Sequence, residues 1–351
     1  QAKPGPLWLW LLHIAADSTL FGLALATLAI LAGSLAPYPF FSIVRLACQG
    51  LFGEGLLLLA GITVVQALSP ARRRAAVTGL LAAGVLLAYS EAYHRCPYDL
   101  QVRRYFVDLS KGRPRGSFKL VHLSDIQCDR VGEHEERALR LARDLQPDLL
   151  VFTGDYVQPR LGTDRGKASR EFNALLRRIG LRPRLGAFAV RGDTERDGWR
   201  TLFAGTAVTC LEDRQALVRL PSGVILSLTG LSLESSRARS RADLAAVLPE
   251  GPGEALRLVL GHAPDGVRAL KSGQKCDLYL AGHTHGGQVV LPFFGPPVTL
   301  SRLPRRYAAG GLHRFDGTWL HVSRGIGMER RTAPQVRFMC PPEVCVLDVR
   351  Y

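Results

Sequence analysis

Carboxylates and imidazoles gather at five places in this sequence, in types and spacings suited to holding divalent cations. The groups are Ser124-Asp125-Ile126-Gln127, Gly154-Asp155, Arg191-Gly192-Asp193-Thr194-Glu195, Gly261-His262-Ala263-Pro264 and Gly282-His283-Thr284-His285-Gly286-Gly287-Gln288. Glycine beside each of the last four lets the backbone turn sharply, so that acids and imidazoles can face one point. Mixed oxygen and nitrogen donors suit ions of intermediate hardness. Two such ions, roughly 3.5–4 Å apart, can share a carboxylate while clamping a phosphoryl group. Taken singly, a Gly-Asp pair is more often a turn or a helix cap. The pair His283 and His285, flanking one residue, is the strongest single element, and turns alone do not account for five groups in this order.

Each group ends a short apolar run that reads as a strand, at residues 118–123, 149–153, 187–190, 256–260 and 278–281. Residues 224–228, 319–322 and 344–349 read as further strands, and residues 135–145 and 171–179 carry helical periodicity. The alternation predicts a layered α/β domain, in which polar side chains just past the carboxyl ends of strands build the site. Residues 161–169 and 231–241 read as exposed loops.

The order of the five groups resembles that of the calcineurin-like metallophosphoesterases, over about residues 116–351. Gly282 to Gln288, Val322-Ser323-Arg324-Gly325-Ile326-Gly327 and Pro341-Pro342-Glu343 look like the bacterial branch that carries N-terminal transmembrane helices. The resemblance implies a four-layered β-sandwich core flanked by helices. It also implies a hydrolase of phosphodiester or pyrophosphate bonds, working by attack of a hydroxide acidified by two divalent ions. By position it makes Asp125, Gln127, Asp155 and His285 ligands of one ion, and Asp155, Asp193, His262 and His283 ligands of the other, with Asp155 as the bridge. Asp155, Asp193, Thr194 and His262 fall where the catalytic residues of the family stand.

Three positions depart from the family pattern. Gln127 replaces a histidine, Asp193 an asparagine, and Thr194 the histidine that helps stabilise or protonate the departing oxygen. Gln127 and Asp193 keep oxygen donors, which moves the site toward Mn²⁺, or Mg²⁺, and away from Zn²⁺. A threonine hydroxyl is no cationic acid, and general acid catalysis is worth on the order of 10²–10⁴-fold. The loss matters least when the leaving group is a stable anion, as when a diphosphate is cleaved. Glu195, His313 and His321 are candidate replacements for the acid. The alternative expectation is a degenerate fold that binds metal or phosphate without turnover.

Residues 1–93 read as a multi-pass membrane region with spans at 7–31, 40–68 and 75–93, the first two longer than the roughly 20 residues that cross a bilayer. Residues 94–115 read as a linker with a first strand, and 116–351 as the phosphoesterase domain. Trp8, Trp10, Tyr89 and Tyr93 fit interfacial belts. Residues 1–92 hold only Lys3, Arg45, Arg72, Arg73 and Arg74 of the 45 Lys and Arg, so the net charge of +15 lies almost wholly beyond the apolar region. A basic domain beside a bacterial inner or plasma membrane predicts membrane lipids and a phosphorylated, lipid-linked small molecule as partners. No basic patch interleaved with aromatics speaks for nucleic acid. Arg72-Arg73-Arg74 marks a cytoplasmic loop, which makes the domain extracytoplasmic, although Arg95, Arg103 and Arg104 pull the other way. Similar hydrolases that cleave UDP-diacylglucosamine work at the cytoplasmic face. The chain opens on Gln1, which leaves room for an upstream segment. Its seven cysteines show no CxxC spacing and read as small core residues, with Cys340 and Cys345 the pair able to bridge.

Overall fold

Leu149, Leu150, Val151 and Phe152 are all fully buried, which a strand achieves only when both of its faces are covered. That requirement shapes the computed structural model, which describes residues 40–70, 72–110, 115–160, 162–238, 240–245, 247–248, 255–270 and 276–351. Its helices include α1 (Phe40–Ala67), α2 (Arg72–Tyr98), α3 (Glu133–Asp144), α4 (Arg165–Ile179) and the single turn α5 (Leu233–Ser236). Its strands are β1 (Gln101–Asp108), β2 (Ser117–Leu123), β3 (Leu149–Phe152), β4 (Ala187–Ala189), β5 (Val208–Cys210) and β6 (Arg214–Arg219). They continue with β7 (Ile225–Gly230), β8 (Leu256–Leu260), β9 (Leu278–Ala281), β10 (Gly311–Phe315), β11 (Thr318–Val322) and β12 (Glu343–Arg350).

The strands form two six-stranded mixed sheets, ordered β1-β12-β2-β3-β4-β5 and β10-β11-β9-β8-β7-β6. Alternation sends successive side chains to opposite faces. Leu120, Leu149, Val151 and Leu347 of the first sheet meet Leu228, Leu258, Leu260, Leu278 and Leu280 of the second in one core between the sheets. Val121, Leu123, Leu150 and Phe152 point outward, packing with Leu139 of α3 and Phe172 and Leu176 of α4. Val259, Tyr279, Ala281, Leu320 and Val322 do the same for the second sheet, under Leu231, Leu244 and Val267. The result is a sandwich of two sheets between two helical layers, the metallophosphoesterase α/β fold.

Local chemistry sets the helix ends. The Asp164 carboxylate accepts from Gly166 N at 2.7 Å to start α4, and Gly180, with φ of 68°, stops it. The reading of residues 161–169 as loop therefore gives way to a capped helix start. Residues 231–241 are likewise not an exposed loop, because Leu231 and Ser236 are fully buried around α5. Unforeseen strands β6 and β10 lie at the two edges of the second sheet, where polar outward faces blur the apolar alternation.

α1 and α2 as far as Arg95 belong, with Thr332–Gln335, to a separate compact unit, and the second unit begins at Cys96. Both α1 and α2 are long and apolar enough to cross a bilayer, and Leu57, Leu80 and Leu87 are largely exposed on them. The expected span at 7–31 lies outside the described residues. All seven cysteines are free thiols. Cys340 Sγ meets His285 O at 3.3 Å and Cys345 Sγ meets Glu343 at 3.2 Å, so the two are committed elsewhere rather than bridged.

Leu347 is wholly buried between the sheets. Replacing it with alanine is expected to cost about 2–5 kcal/mol, read from urea unfolding of the domain's fluorescence. A loss below about 1 kcal/mol would show that the two sheets close over the gap.

Candidate metal centre

The strand order brings the chemistry together. Asp125, Asp155 and Asp193 follow β2, β3 and β4, which run parallel side by side. His262 follows β8, and His283 and His285 follow β9, a parallel pair in the opposing sheet. The carboxyl ends of three strands thus face those of two. Two groups result, Asp125 with Asp155 and His285, and Asp193 with His262 and His283, each with its donor atoms within 4.8 Å of one another. His262 Nε2 lies 3.5 Å from Asp155 Oδ1 and 3.8 Å from Asp193 Oδ1, so Asp155 stands between the groups.

Close turns make this convergence possible, and they are strained. Asp125, Gln127, Asp155, His283 and His285 all have positive φ, between 43° and 69°, a region that side-chain-bearing residues seldom adopt. Neighbouring turns also touch. A Cβ on Gly154 would stand 2.7 Å from His262 Nδ1, and one on Gly282 would run into Ser124 Oγ and Asp125 Oδ2.

Two buried side chains hold the turns in place. Glu195 accepts from the backbone N–H of Asp155 and Gly192, both at 2.9 Å, and of Tyr156 at 2.8 Å, as well as from Thr194 Oγ1 at 3.0 Å. It is an anchor, fully occupied, and not a spare acid. The Thr194 hydroxyl is committed to it, while Thr194 N donates to Asp155 Oδ1 at 3.0 Å. Arg337, fully buried, donates to the carbonyl oxygens of Gly327, Cys340 and Arg324 and lies 3.4 Å from His285 Nδ1. The other candidate acids are also engaged. His321 sits between the sheets with its Nδ1 2.9 Å from that of His122, and His313 Nε2 meets Gly310 O at 3.1 Å.

Several donor atoms are left without hydrogen bonds. Gln127 Nε2 donates to Asp155 Oδ2 at 3.3 Å and to Glu329 Oε2 at 3.0 Å, which fixes the amide and leaves Oε1 buried and unbonded. His262 Nε2 and His285 Nε2 are also buried and unbonded. Such atoms normally have partners. Oxygen and nitrogen lone pairs gathered beside three carboxylates fit divalent cations.

Electrostatics point the same way. Burial pushes the Asp125 carboxyl up to about 6 against the pull of His262 and Ser124. Burial and then the neighbouring Asp193, Glu195 and Asp125 push Asp155 well above the usual carboxylate range. Asp193 is different. Against burial, His262, His283 and Arg237 hold it down to about 2, and Arg237 Nη2 lies 2.6 Å from its Oδ2. His283 is lowered to about 4 by burial and His262, and His285 lies well below its ordinary value through burial and Arg337. Both rings are neutral at pH 7 and able to offer lone pairs.

A profile for calcineurin-like phosphoesterases matches residues 118–287, a stretch that includes the first four groups and the fifth as far as Gly287. Over that stretch the chain is similar to the calcineurin-like phosphoesterases. Among its relatives, the Bacillus subtilis metallophosphoesterase YkuE is 27% identical over 285 residues, covering 78% of this chain and 94% of that protein. The Escherichia coli phosphodiesterase YaeI is 27% identical over 240 residues, 66% of this chain and 82% of its own. The Chlamydia trachomatis UDP-2,3-diacylglucosamine pyrophosphatase LpxG is 26% identical over 331 residues, 79% of this chain and 97% of its own.

Reading single strand ends for acids and imidazoles missed Glu329, Arg237 and Arg337. Glu329 follows the 322–327 run closely enough to have been flagged. Arg237 and Arg337 carry no local signal among so many arginines.

Two outcomes follow from this geometry. Below about pH 6 Asp125 holds a proton that a cation must displace, and burial with the neighbouring acids raises Asp155 well above the usual carboxylate range, whereas His283 and His285 are held below their ordinary values. Mn²⁺ affinity should therefore rise with pH through about 6, being roughly tenfold or more weaker at about pH 5 than at about pH 7 by titration calorimetry. A flat profile would contradict the assignment. Glu195→Gln, which sets an amide N–H against backbone donors, should lower stability by about 2 kcal/mol and weaken Mn²⁺ binding together.

Proposed function

We propose that this chain is a membrane-anchored, two-metal phosphoesterase that hydrolyses phosphodiester or diphosphate bonds of a lipid-linked substrate. The observation that carries the reading is the pair of buried, unbonded imidazole nitrogens, His262 Nε2 and His285 Nε2, beside Asp125, Asp155 and Asp193 in two adjoining groups, with Gln127 Oε1 also buried and unbonded. In this reading Asp125, Gln127, Asp155 and His285 hold one ion, and Asp155, Asp193, His262 and His283 the other. Mn²⁺ is favoured, because oxygen ligands from Gln127 and three carboxylates harden the site. When bound, the ions supply a Lewis acid for the phosphoryl oxygens and an acidified water.

The residues of the chain do the rest. Asp155, fixed by Thr194 N and Gln127 Nε2, keeps the two groups in register. Water adds to phosphorus and releases a proton to solvent, while the bond to the bridging oxygen breaks and that oxygen departs with the bonding electron pair, as a phosphate anion when the substrate is a diphosphate. No proton donor stands at position 194, because the Thr194 hydroxyl already donates to Glu195. A diphosphate should therefore be a better substrate than an alkyl phosphomonoester. Similarity to a phosphodiesterase and a UDP-diacylglucosamine pyrophosphatase supports this substrate range.

The apolar helices α1 and α2 would place the domain at a membrane, where a lipid-linked substrate is met in two dimensions. With Arg72-Arg73-Arg74 on the cytoplasmic side, α2 leads outward, making the domain extracytoplasmic. The committed Thr194 hydroxyl also favours a second reading, a metal- or phosphate-binding module without turnover.

One experiment separates the two. The full chain, purified in detergent, is stripped and reloaded with Mn²⁺, Mg²⁺ or Zn²⁺, and bound metal is measured beside hydrolysis of bis-p-nitrophenyl phosphate and a nucleotide diphosphate. Two ions per chain, turnover fastest on the diphosphate, and a drop of more than about 100-fold in Asp155→Ala are expected. Ions without turnover would establish the binding module, and no ions at all would defeat both readings.

A further inference from the structure

Resting on the two-ion reading above, we propose that Arg237 binds the phosphoryl oxygens of the substrate at the Asp193–His262–His283 group, supplying the fixed positive charge that position 194 lacks. The contact that leads there is short, with Arg237 Nη2 2.6 Å from Asp193 Oδ2. His283 Nδ1 lies 3.4 Å from the same oxygen, so the guanidinium stands at the rim of the group that would hold the second ion.

The segment that presents Arg237 is built to hold it still. Ser232 Oγ caps α5 by accepting from Ser235 N at 3.1 Å, and Ser232 N donates to Asp213 Oδ1 at 2.8 Å. Ser236, wholly buried, accepts from Ala263 N at 3.3 Å, tying α5 to the residue after His262. Arg302 Nη2 donates to the Arg237 carbonyl at 3.0 Å, and Arg302 N in turn donates to Asp265 Oδ1 at 2.7 Å. The backbone on both sides of Arg237 is fixed, while its side chain keeps 40% of its surface open to solvent. A guanidinium has five N–H donors, and Asp193 occupies one of them. Those remaining can meet an arriving anion in the planar, two-point manner that suits phosphate.

Charge explains why an arginine belongs here. Asp193 brings an extra negative charge to the second group, which would repel a phosphoryl group. Arg237 offsets that charge and leaves the group no more anionic than a neutral amide ligand would. A guanidinium stays protonated at any physiological pH, so it stabilises a departing oxygen by charge alone and hands it no proton. This selects substrates whose leaving group is already stable as an anion, which a phosphate is and an alkoxide is not.

The test is phosphate binding rather than turnover. Full-length wild type, Arg237→Gln, Arg237→Lys and Asp193→Asn are loaded with Mn²⁺ and titrated calorimetrically with inorganic phosphate, after Mn²⁺ stoichiometry and affinity have been measured on each. Arg237→Gln should still take two ions yet bind phosphate at least about tenfold more weakly, and Arg237→Lys should recover part of the loss. Asp193→Asn, which releases Arg237 from its partner, should bind phosphate as tightly as wild type or more so. If Arg237→Gln tightens the second ion and leaves phosphate affinity unchanged, Arg237 is only the counter-ion of Asp193 and the assignment is overturned. A wild-type chain that holds no ions overturns the two-ion reading, and the assignment with it.

Discussion

Desolvated negative charge is the constraint around which this domain is organised. Asp125 and Asp155 are almost wholly buried, and Asp193 and Glu195 add their charges nearby. Carboxylates taken out of water and set against one another cannot all stay ionised without cations. Hydrogen bonds do reach each acid, from His283 N to Asp125, from Thr194 N to Asp155 and from Arg237 to Asp193, yet burial keeps Asp125 and Asp155 above the usual carboxylate range. Beside them stand imidazoles, and the Nε2 atoms of His262 and His285 are buried without a hydrogen bond, which suits a cation. The site is therefore incomplete as protein alone, and that incompleteness is its chemistry.

Keeping such a site open takes mechanical work from the rest of the structure. Five of the residues that converge there have positive φ, and the turns bearing them press against one another at Gly154 and Gly282. Left alone, these turns would relax. Glu195 gathers the backbone N–H groups of Asp155 and Tyr156 from one of them and of Gly192 from the turn beside it, and Arg337 donates to carbonyl oxygens of Gly327 and Arg324. Both are charged residues buried for structural reasons, each with enough partners to satisfy its charge. The double-sided core supplies the stiffness beneath them, because each central strand is packed on two faces.

Departures from the family pattern become coherent once neighbours are in view. Gln127 has its amide nitrogen held by two carboxylates, Asp155 and Glu329, and keeps a buried oxygen without a hydrogen bond. Asp193 arrives with Arg237 beside it, so the added charge is matched. Thr194 retains a positional role through its backbone N–H while its hydroxyl serves Glu195. These are paired adjustments, and they preserve donors where random drift would scatter apolar side chains.

The strand ends carrying acids and imidazoles were legible in the residues alone, as were most central strands and the apolar character of α1 and α2, because buried strands and lipid-length helices need continuous apolar runs. The family resemblance too was legible, since its signature consists of short local groups. Edge strands β6 and β10 were not, because a strand with one polar face and one free edge has little alternation to show. Nor was the starting point of α4, which an aspartate cap decides inside what reads as a loop. The partners of the site lay furthest from view. Arg237 is 44 residues from Asp193, and nothing local distinguishes it from other arginines, while Glu329, 202 residues from Gln127, has only its place after the 322–327 run to mark it. Sequence determined which donors exist and that they follow strands. Only the tertiary structure decided which of them share a charge, because electrostatic pairing depends on distance in space, and the packing of two sheets sets that distance.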